Sequence, residues 1–146
     1  MVRSLLPFLV VLTYGGAVGG AAQDIPPPLD GRDVGFKLEQ NYPNPFNPET
    51  RIPFELSESL FSSGAPVTVS IRIFNILQQF VAAPVALGFS GGEGLPTMQL
   101  EYTSPGRYEA YWDGRDRNGN RVASGVYFVQ MLVNGQTAWR KMFVTK

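Results

Sequence analysis

The 146-residue chain contains no cysteine and no histidine. Histidine is the commonest general base, and histidine and cysteine supply most zinc and haem ligands, so their absence excludes most enzyme and metal-site classes. The 12 Lys and Arg residues balance the 12 Asp and Glu residues. A neutral chain lacks the cationic surplus that attracts nucleic acids or anionic membranes. We therefore expect a non-enzymatic protein without a cofactor, a nucleic-acid partner or a small-molecule substrate.

A hydrophobic run lies near the start of the sequence. Residues 5–12 are mostly apolar, follow the cation Arg3 and lead into small residues that end at Ala22. This order is typical of a secretory signal peptide, and the run is shorter than the ~20 residues that a membrane-spanning helix needs. We predict that residues 1–22 form a signal peptide, cleaved between Ala22 and Gln23, and that the mature protein is exported.

Glycine and proline are abundant, with 16 and 12 residues. This favours short strands joined by turns over helices, and no segment keeps a 3.6-residue hydrophobic period. Segment 23–35 has a run of prolines and is predicted to be an extended tether. The remainder, 36–146, is predicted to be an all-β domain, an antiparallel β-sandwich of about seven or eight strands. The predicted strands cover 36–42, 51–56, 67–74, 80–87, 97–102, 108–112, 126–133 and 137–145.

The last two predicted strands are joined by Asn134-Gly135, the strongest short-range signal for a two-residue hairpin turn. That turn pairs Met131 with Ala138 and Val129 with Arg140. One face of the hairpin is then apolar and predicted to be buried; it carries Tyr127, Val129, Met131, Met142 and Val144. The other face is interrupted by Gln130 and Lys141, which mark it as the solvent side. Its apolar residues are Val126, Phe128, Leu132, Trp139 and Phe143.

Three aromatic rings on one exposed sheet face approach the contiguous apolar patch that signals a contact site. We predict a partner surface formed by Phe128, Leu132, Trp139 and Phe143. The alternative is that the long stretch 84–107, or the tether 23–35, folds over these residues and buries them.

Two turn motifs contain residues that suggest chemistry. The prolines and asparagines of YPNPFNP predict a stiff turn, because Pro fixes φ and Asn44 and Asn47 can bond their own backbone two residues on. In WDGRDRNGN the oxygen donors Asp113, Asp116, Asn118 and Asn120 suggest calcium. An EF-hand loop counted from Asp116 needs Gly and Glu where this chain has Arg121 and Tyr127, so we predict a hairpin loop and no metal site.

Paired carboxylates can perform glycosidase chemistry without histidine. The acidic residues considered all lie beside predicted turns or on solvent faces, and a small sandwich has little room for a deep cleft. They are Glu39, Glu49, Glu55, Glu58, Asp113 and Asp116. We assign no catalytic residue.

Three stretches carry a resemblance: NYPNPFNPETRIPFEL at 41–56, VSIRIFNILQQFV at 69–81, and 111–146. They resemble the C-terminal sorting domain of the type IX secretion system, type A, and the related immunoglobulin-like domain of the flagellar hook-capping protein. The chain departs from the family pattern at Gln78, where the family usually has glycine, and in the longer stretch 84–107. The residues that match the motifs are Tyr42, Pro43, Asn44, Pro45, Phe46, Asn47, Pro48, Trp112, Asp113, Gly114, Asp116, Gly119, Gly125, Val126, Tyr127 and Lys141.

The resemblance implies an immunoglobulin-like sandwich that acts as a folded address, recognised by the type IX outer-membrane translocon. It also implies transit through the periplasm to the cell surface or the medium. Such domains normally follow a large cargo, whereas here only the tether precedes the domain. The alternative is therefore a secreted structural or adhesive module that assembles with itself or with another surface protein.

Overall fold

The computed structural model describes residues 34–88 and 94–146. The predicted signal peptide, its cleavage site at Ala22 and Gln23, and nearly all of the predicted tether lie outside them. The described residues form a short 3-10 helix, Glu58–Phe61, and nine strands: β1 (Phe36–Leu38), β2 (Thr50–Leu56), β3 (Val67–Asn75), β4 (Phe80–Ala82), β5 (Val85–Leu87), β6 (Leu100–Tyr102), β7 (Gly106–Trp112), β8 (Gly125–Val133) and β9 (Gln136–Val144). In this part of the chain no helix is long and apolar enough to cross a membrane.

The strands form two antiparallel sheets. One sheet, in the order β1-β2-β7-β5, is called the β2 sheet; the other, in the order β4-β3-β8-β9 with β6 also paired to β3, is called the β8 sheet. The sheets face each other across one hydrophobic core. The prediction of an all-β antiparallel sandwich is therefore confirmed, with nine strands in the described residues in place of about seven or eight.

Period-two alternation determines which side chains enter the core. On β3, Val67, Val69, Ile71 and Ile73 all point inward and are at most 1% exposed. Aromatic rings occupy both ends of the core. At one end the Tyr102 ring lies 4.6 Å from Tyr108 between centroids, and at the other end Trp112 lies 5.5 Å from Phe46. These edge-on contacts join the two sheets, since the rings come from different layers or from loops between them.

The predicted strand 80–87 is wrong as a single element. The chain forms β4 in the β8 sheet, breaks, and then forms β5 in the β2 sheet. Pro84 lies at the break, where it lacks an N–H, and its carbonyl accepts a hydrogen bond from Thr97 N at 2.8 Å. Which sheet each half joins depends on tertiary pairing, and the period-two pattern of a short run does not predict that pairing.

The β8–β9 hairpin confirms the predicted register. Val133 pairs with Gln136, Met131 with Ala138 and Val129 with Arg140. The turn residues Asn134 and Gly135 have φ of +50° and +77°, the left-handed values that a two-residue hairpin turn requires. The predicted inner face is buried, with Met131 and Met142 both 0% exposed.

Candidate recognition surface

The proline-rich turn between β1 and β2 is attached to the outer edge of β9. Phe46 forms a parallel bridge with Val144. Phe46 N donates to Phe143 O at 3.0 Å, and Thr145 N donates to Phe46 O at 3.0 Å. The Phe46 side chain is 1% exposed and lies against Trp112 in the core. The turn is therefore an integral part of the sandwich as well as a connection between strands.

Two side chains extend this attachment along β9. The Asn44 carboxamide oxygen accepts a hydrogen bond from Phe143 N at 3.0 Å. Gln40 Nε2 donates to Lys141 O at 2.9 Å. Together with Phe46, they bond the outward backbone groups from Lys141 O to Thr145 N, at the end of β9, which protects this part of the edge from pairing with other chains. The structure corrects the expectation for Asn44, whose side chain bonds β9 and not its own backbone two residues on.

A buried polar pair supports the proline-rich turn from below. Asn41 and Thr50 are 3% and 1% exposed. Asn41 Nδ2 donates to Thr50 Oγ1 at 3.0 Å, and Thr50 Oγ1 donates to Pro43 O at 3.0 Å. Prolines at 43, 45 and 48 follow cis peptide bonds. The sequence reasoning missed Gln40, Asn41 and Thr50, whose roles depend on partners that are distant in sequence or hidden by folding.

The WDG motif at the end of β7, in the β2 sheet, also contacts the proline-rich turn. Trp112 ends β7, and its ring N–H donates to Arg115 O at 2.8 Å. Gly114 has a φ of +76°, and a Cβ built there would lie 2.3 Å from Pro48 O. Only glycine fits this close approach. Two of the three stretches that carry the family resemblance therefore meet at one point.

The candidate calcium residues form the turn itself. Asp113 Oδ1 accepts a hydrogen bond from Arg115 N at 3.0 Å. Asp116 Oδ1 accepts hydrogen bonds from Asn118 N at 2.9 Å and from Asn120 N at 3.0 Å. These carboxylates satisfy backbone donors of a tight loop. Among the described residues no three acidic, histidine or cysteine side chains lie close enough together to hold a metal ion.

The start of β8 is fixed by the hydroxyl of Tyr127. This side chain is 7% exposed, and its O–H donates to Ala123 O at 2.8 Å, four residues upstream. The Tyr127 ring lies 5.8 Å from Trp112. A tyrosine that bonds back to the preceding corner is a recurring feature of immunoglobulin-like sandwiches. The matching residues Gly125 and Val126 lie in the same strand start, while Lys141 lies opposite Phe128 on β9.

The outer face of the β8 sheet carries an aromatic patch, which we define as Phe74, Phe80, Trp139 and Phe143. Phe80 and Phe143 are 37% and 40% exposed, and Trp139 is partly exposed. The Phe74 ring lies 6.2 Å from Phe80 and 5.7 Å from Trp139. Because β3 and β9 flank β8, the contact between Phe74 and Trp139 crosses over β8. The patch therefore extends across the whole sheet.

The structure places the four predicted surface residues on this face, but one of them is not accessible. Leu132 is partly exposed, whereas Phe128 is 8% exposed and belongs to the buried set. Phe128 lies in register between Phe74 and Lys141, and rings from both neighbouring strands meet above β8. The expectation that Phe128 faces a partner directly is therefore wrong; it supports the patch from beneath.

Cations accompany the aromatic patch. The Arg117 guanidinium lies 5.9 Å from the Phe80 ring centroid, and the Lys141 ammonium lies 5.3 Å from the Phe143 centroid. The two ion pairs found in the described residues both lie on the β2 sheet, Arg51 with Glu109 and Arg107 with Glu39. One outer face of the sandwich thus carries the two ion pairs, while the other carries the aromatic patch with Arg117 and Lys141 beside its rings, and Glu101 of β6.

The long stretch 84–107 does not cover the aromatic patch with its described residues. Its β5 pairs with β7 and its β6 pairs with β3, so both strands lie at sheet edges. Between them, Thr97 O accepts a hydrogen bond from Ile71 N at 2.7 Å and Gln99 N donates to Ser70 Oγ at 2.9 Å. These contacts complete the β3 edge beside the core. The predicted cover by the tether falls on residues outside the described part of the chain.

Two open cavities lie away from the patch centre. One of about 380 Å³ lies beside Gly35, between the ends of β1, β2 and β7. The other, of about 450 Å³, opens between β4 and β7 and is lined by Phe80, Trp112 and Arg117, among others. Asp116 also lines it, but Oδ1 of that carboxylate already accepts backbone hydrogen bonds in the turn. In this second cavity, hydrogen bonds within the turn account for Asp116, and contact with the Phe80 ring accounts for Arg117.

Burial raises the pKa of Tyr127, and three further tyrosine hydroxyls also have a raised pKa. Tyr111 donates a hydrogen bond to Glu49, and this bond, with a smaller contribution from burial, raises the pKa of Tyr111 to about 12. Burial raises the pKa of Tyr102 to about 12. A hydrogen bond to Glu109 raises the pKa of Tyr42 above its usual value. All three hydroxyls are neutral near pH 7, so Tyr42 and Tyr111 add hydrogen bonds without adding charge.

Neither a protein-family model nor a curated protein sequence matches the chain. Among solved structures, it is similar to dimeric latent PorU from Porphyromonas gingivalis, with a TM-score of 0.48 and 19% identity over 75% of this chain and 9% of that one. It is similar to PorZ, described as a surface component of the type IX secretion system of the same organism, with a TM-score of 0.44 and 21% identity over 73% and 11%. It is also similar to the alkylpurine DNA glycosylase AlkC from Pseudomonas fluorescens, with a TM-score of 0.43 and 18% identity over 80% and 32%. The chain spans less than a third of each of these proteins.

Proposed function

We propose that residues 36–146 act as a non-enzymatic sorting domain, which the outer-membrane machinery of the type IX secretion system recognises. In this proposal the chain crosses the periplasm and is delivered to the cell surface or the medium. The supporting observation is that the motifs behind the family resemblance converge in space. The proline-rich turn bonds β9 through Phe46, and the WDG motif packs on the same turn through Gly114 and Pro48.

This convergence makes β9 the element on which the address depends. Removing 137–146 takes Met142 and Val144 out of the core and leaves β8 without its hairpin partner. The exposed edge and the lost apolar contacts unfold the recognised surface. We expect the truncated protein to remain in the periplasm.

The test is delivery in cells that have the type IX machinery, measured by surface proteolysis and by fractionation. The full chain and the variant lacking 137–146 are compared in those cells and in an otherwise identical strain without the translocon. We expect the full chain outside only where the translocon is present. Delivery of the truncated chain, or delivery of the full chain without the translocon, would refute the sorting role.

A second candidate function is supported by the aromatic patch. A secreted structural or adhesive module needs a surface for copies of itself or for another surface protein, and the patch has that character. In this case the protein self-associates or adheres after export by any route. Translocon-independent export together with patch-dependent assembly would favour this function over sorting.

A further inference from the structure

The outward edge of β9 is closed along only part of its length. In an antiparallel ladder the backbone groups of alternate residues point away from the paired strand. The backbone N–H and C=O of Phe143 point away from β8, since they bond Asn44 and Phe46 of the proline-rich turn. By the same alternation Thr137 and Trp139 also point their backbone groups away from β8.

Among the described residues no backbone group of another segment bonds this second half of the edge, and the one bond to β1 runs from the Arg140 side chain, whose Nε donates to Leu38 O at 3.0 Å. The attachment of the proline-rich turn begins at Lys141 O, which accepts from Gln40 Nε2. Between Gln136 and Lys141 the outward N–H and C=O groups are at the spacing of a sheet ladder and bind no other strand of the described chain. An open edge of this kind is a template for strand addition by another polypeptide. Glycans and nucleic acids do not offer the matching row of amide groups.

The side chains around this open edge define the charge of a suitable partner. Trp139 and Lys141 lie on the outer face beside it, whereas Arg72 lies two strands away from β9, in register with Gln130 opposite Trp139. Neither Arg72 nor Lys141 forms an ion pair within the described residues. A strand that carries carboxylates on this face would neutralise Lys141.

We propose that the edge of β9 between Gln136 and Lys141 binds an extended, acidic segment of a partner protein by strand addition. A second copy of this chain is a poorer occupant on electrostatic grounds. Antiparallel pairing of two β9 edges about Trp139 places Thr137 of one copy opposite Lys141 of the other, so a second copy brings no carboxylate to Lys141. This binding step is measured on purified protein and is independent of the export route.

The experiment uses the purified full chain and a nine-residue peptide, EVEVEVEVE, whose glutamates fall on one face when it is extended. Binding is followed by titration calorimetry, and the site is located from the amide NMR signals of Thr137 and Trp139. We expect saturable binding and protection of these two amides from hydrogen exchange. The peptide KVKVKVKVK, and an EVEVEVEVE peptide with alternate N-methylated amides, should each bind at least about ten-fold more weakly.

Paired variants test the edge itself. In Thr137→Pro the outward N–H is removed and the ring blocks an incoming strand, but the bonds between β8 and β9 remain, because that N–H does not point at β8. Thr137→Ala keeps the N–H. We expect loss of peptide binding in the first variant and wild-type binding in the second, with β8 amide protection retained in both. If Thr137→Pro does not fold, Lys141→Glu replaces it, with an expected loss of about ten-fold.

Several results would overturn the proposal. These are no binding of EVEVEVEVE at about 1 mM, equal binding of the lysine peptide, or protection at residues away from β9. Sedimentation of the protein without peptide gives one further outcome. A dimer that disappears in Thr137→Pro would show that a second copy occupies the edge, which would contradict the acidic partner. The peptide should bind equally well after residues 1–33 are removed. Tighter binding of the peptide to that shortened protein would show that residues 1–33 compete for the edge, which would also contradict the proposal.

Discussion

Gly114 combines two constraints that can be separated by mutation. Its φ is +76° and its missing Cβ faces Pro48 O at 2.3 Å, whereas Gly119 has a φ of +84° and open space, with no atom within 4 Å of where a Cβ would lie. We expect Gly114→Ala to lower the free energy of unfolding by about 3 kcal/mol, from backbone strain plus steric overlap. Gly119→Ala should lose about 1 kcal/mol, from strain alone. Urea denaturation measures both, and equal losses would show that the contact with Pro48 is unimportant.

Tyr111 gives a prediction for alkaline pH. Its pKa is raised to about 12, chiefly by the hydrogen bond to Glu49. Because the folded state holds the proton more tightly than the unfolded state, the stabilisation is complete below the unfolded pKa of about 10 and is lost as the pH rises through the folded value. In an absorbance titration at alkaline pH, Tyr111→Phe should have one fewer tyrosine that ionises above the usual pKa than the unmodified protein.

The control for this titration is Glu49→Gln, which keeps the ring of Tyr111 and removes the carboxylate. We expect it to bring the ionisation of Tyr111 back toward the usual tyrosine value. Tyr102, whose pKa is raised to about 12 by burial, should be unaffected in the same titration. An unchanged curve for Glu49→Gln would show that burial, and not the hydrogen bond, determines the shift of Tyr111.

At the scale of the elements, the side chain of Asn44 can be tested as a cap on the β9 edge. Asn44→Ala removes the acceptor of Phe143 N, and we expect a loss of about 1 kcal/mol in the free energy of unfolding. Faster hydrogen exchange should be confined to the Phe143 amide. Asn47→Ala, in the same turn, is the matched control and should change the exchange of that amide little. Unchanged protection in Asn44→Ala would mean that the backbone of Phe46 alone closes this edge.

The hairpin of β8 and β9 could be predicted from sequence to the register of individual residues, because Asn134-Gly135 fixes the turn and alternation then assigns each face. The separation of β4 from β5 could not, since a short apolar run contains no information about which sheet it joins. The same limit explains Gln40 and Asn44, whose bonding partners lie about a hundred positions along the chain. The prediction for Phe128 is wrong for a related reason, because cover by Phe74 and Trp139 comes from neighbouring strands.

At the scale of the whole molecule, the two outer faces should respond differently to substitution. Phe143 is 40% exposed, so Phe143→Ser should shift the melting temperature by no more than about 3 °C. Surface delivery or assembly should nevertheless fall, if the aromatic patch is a contact site. Trp139→Ser should lower the melting temperature further, because the Trp139 ring packs on Phe74.

Leu77→Ser provides the control, because Leu77 is 72% exposed and lies in the turn between β3 and β4, outside the patch. It should leave both melting temperature and delivery unchanged. A large drop in melting temperature for Phe143→Ser would show that its ring belongs to the protein's own core. Equal effects of Leu77→Ser and Phe143→Ser on delivery would show that the patch is not distinguished from other exposed apolar residues.

The attachment of the proline-rich turn to β9 also has a kinetic consequence. The bond between Asn44 and Phe143 closes a loop of 99 positions, and the bonds of Phe46 close one nearly as long. Contacts between residues so far apart form late, because the chain entropy of closing such a loop must be overcome first. During synthesis, Phe46 and β2 therefore cannot form all their native contacts until β9 has been made. A nascent chain stalled before residue 137 should be bound by chaperones and cleaved by proteases, whereas one in which residues up to 146 have left the ribosome should become resistant to both in a single cooperative step.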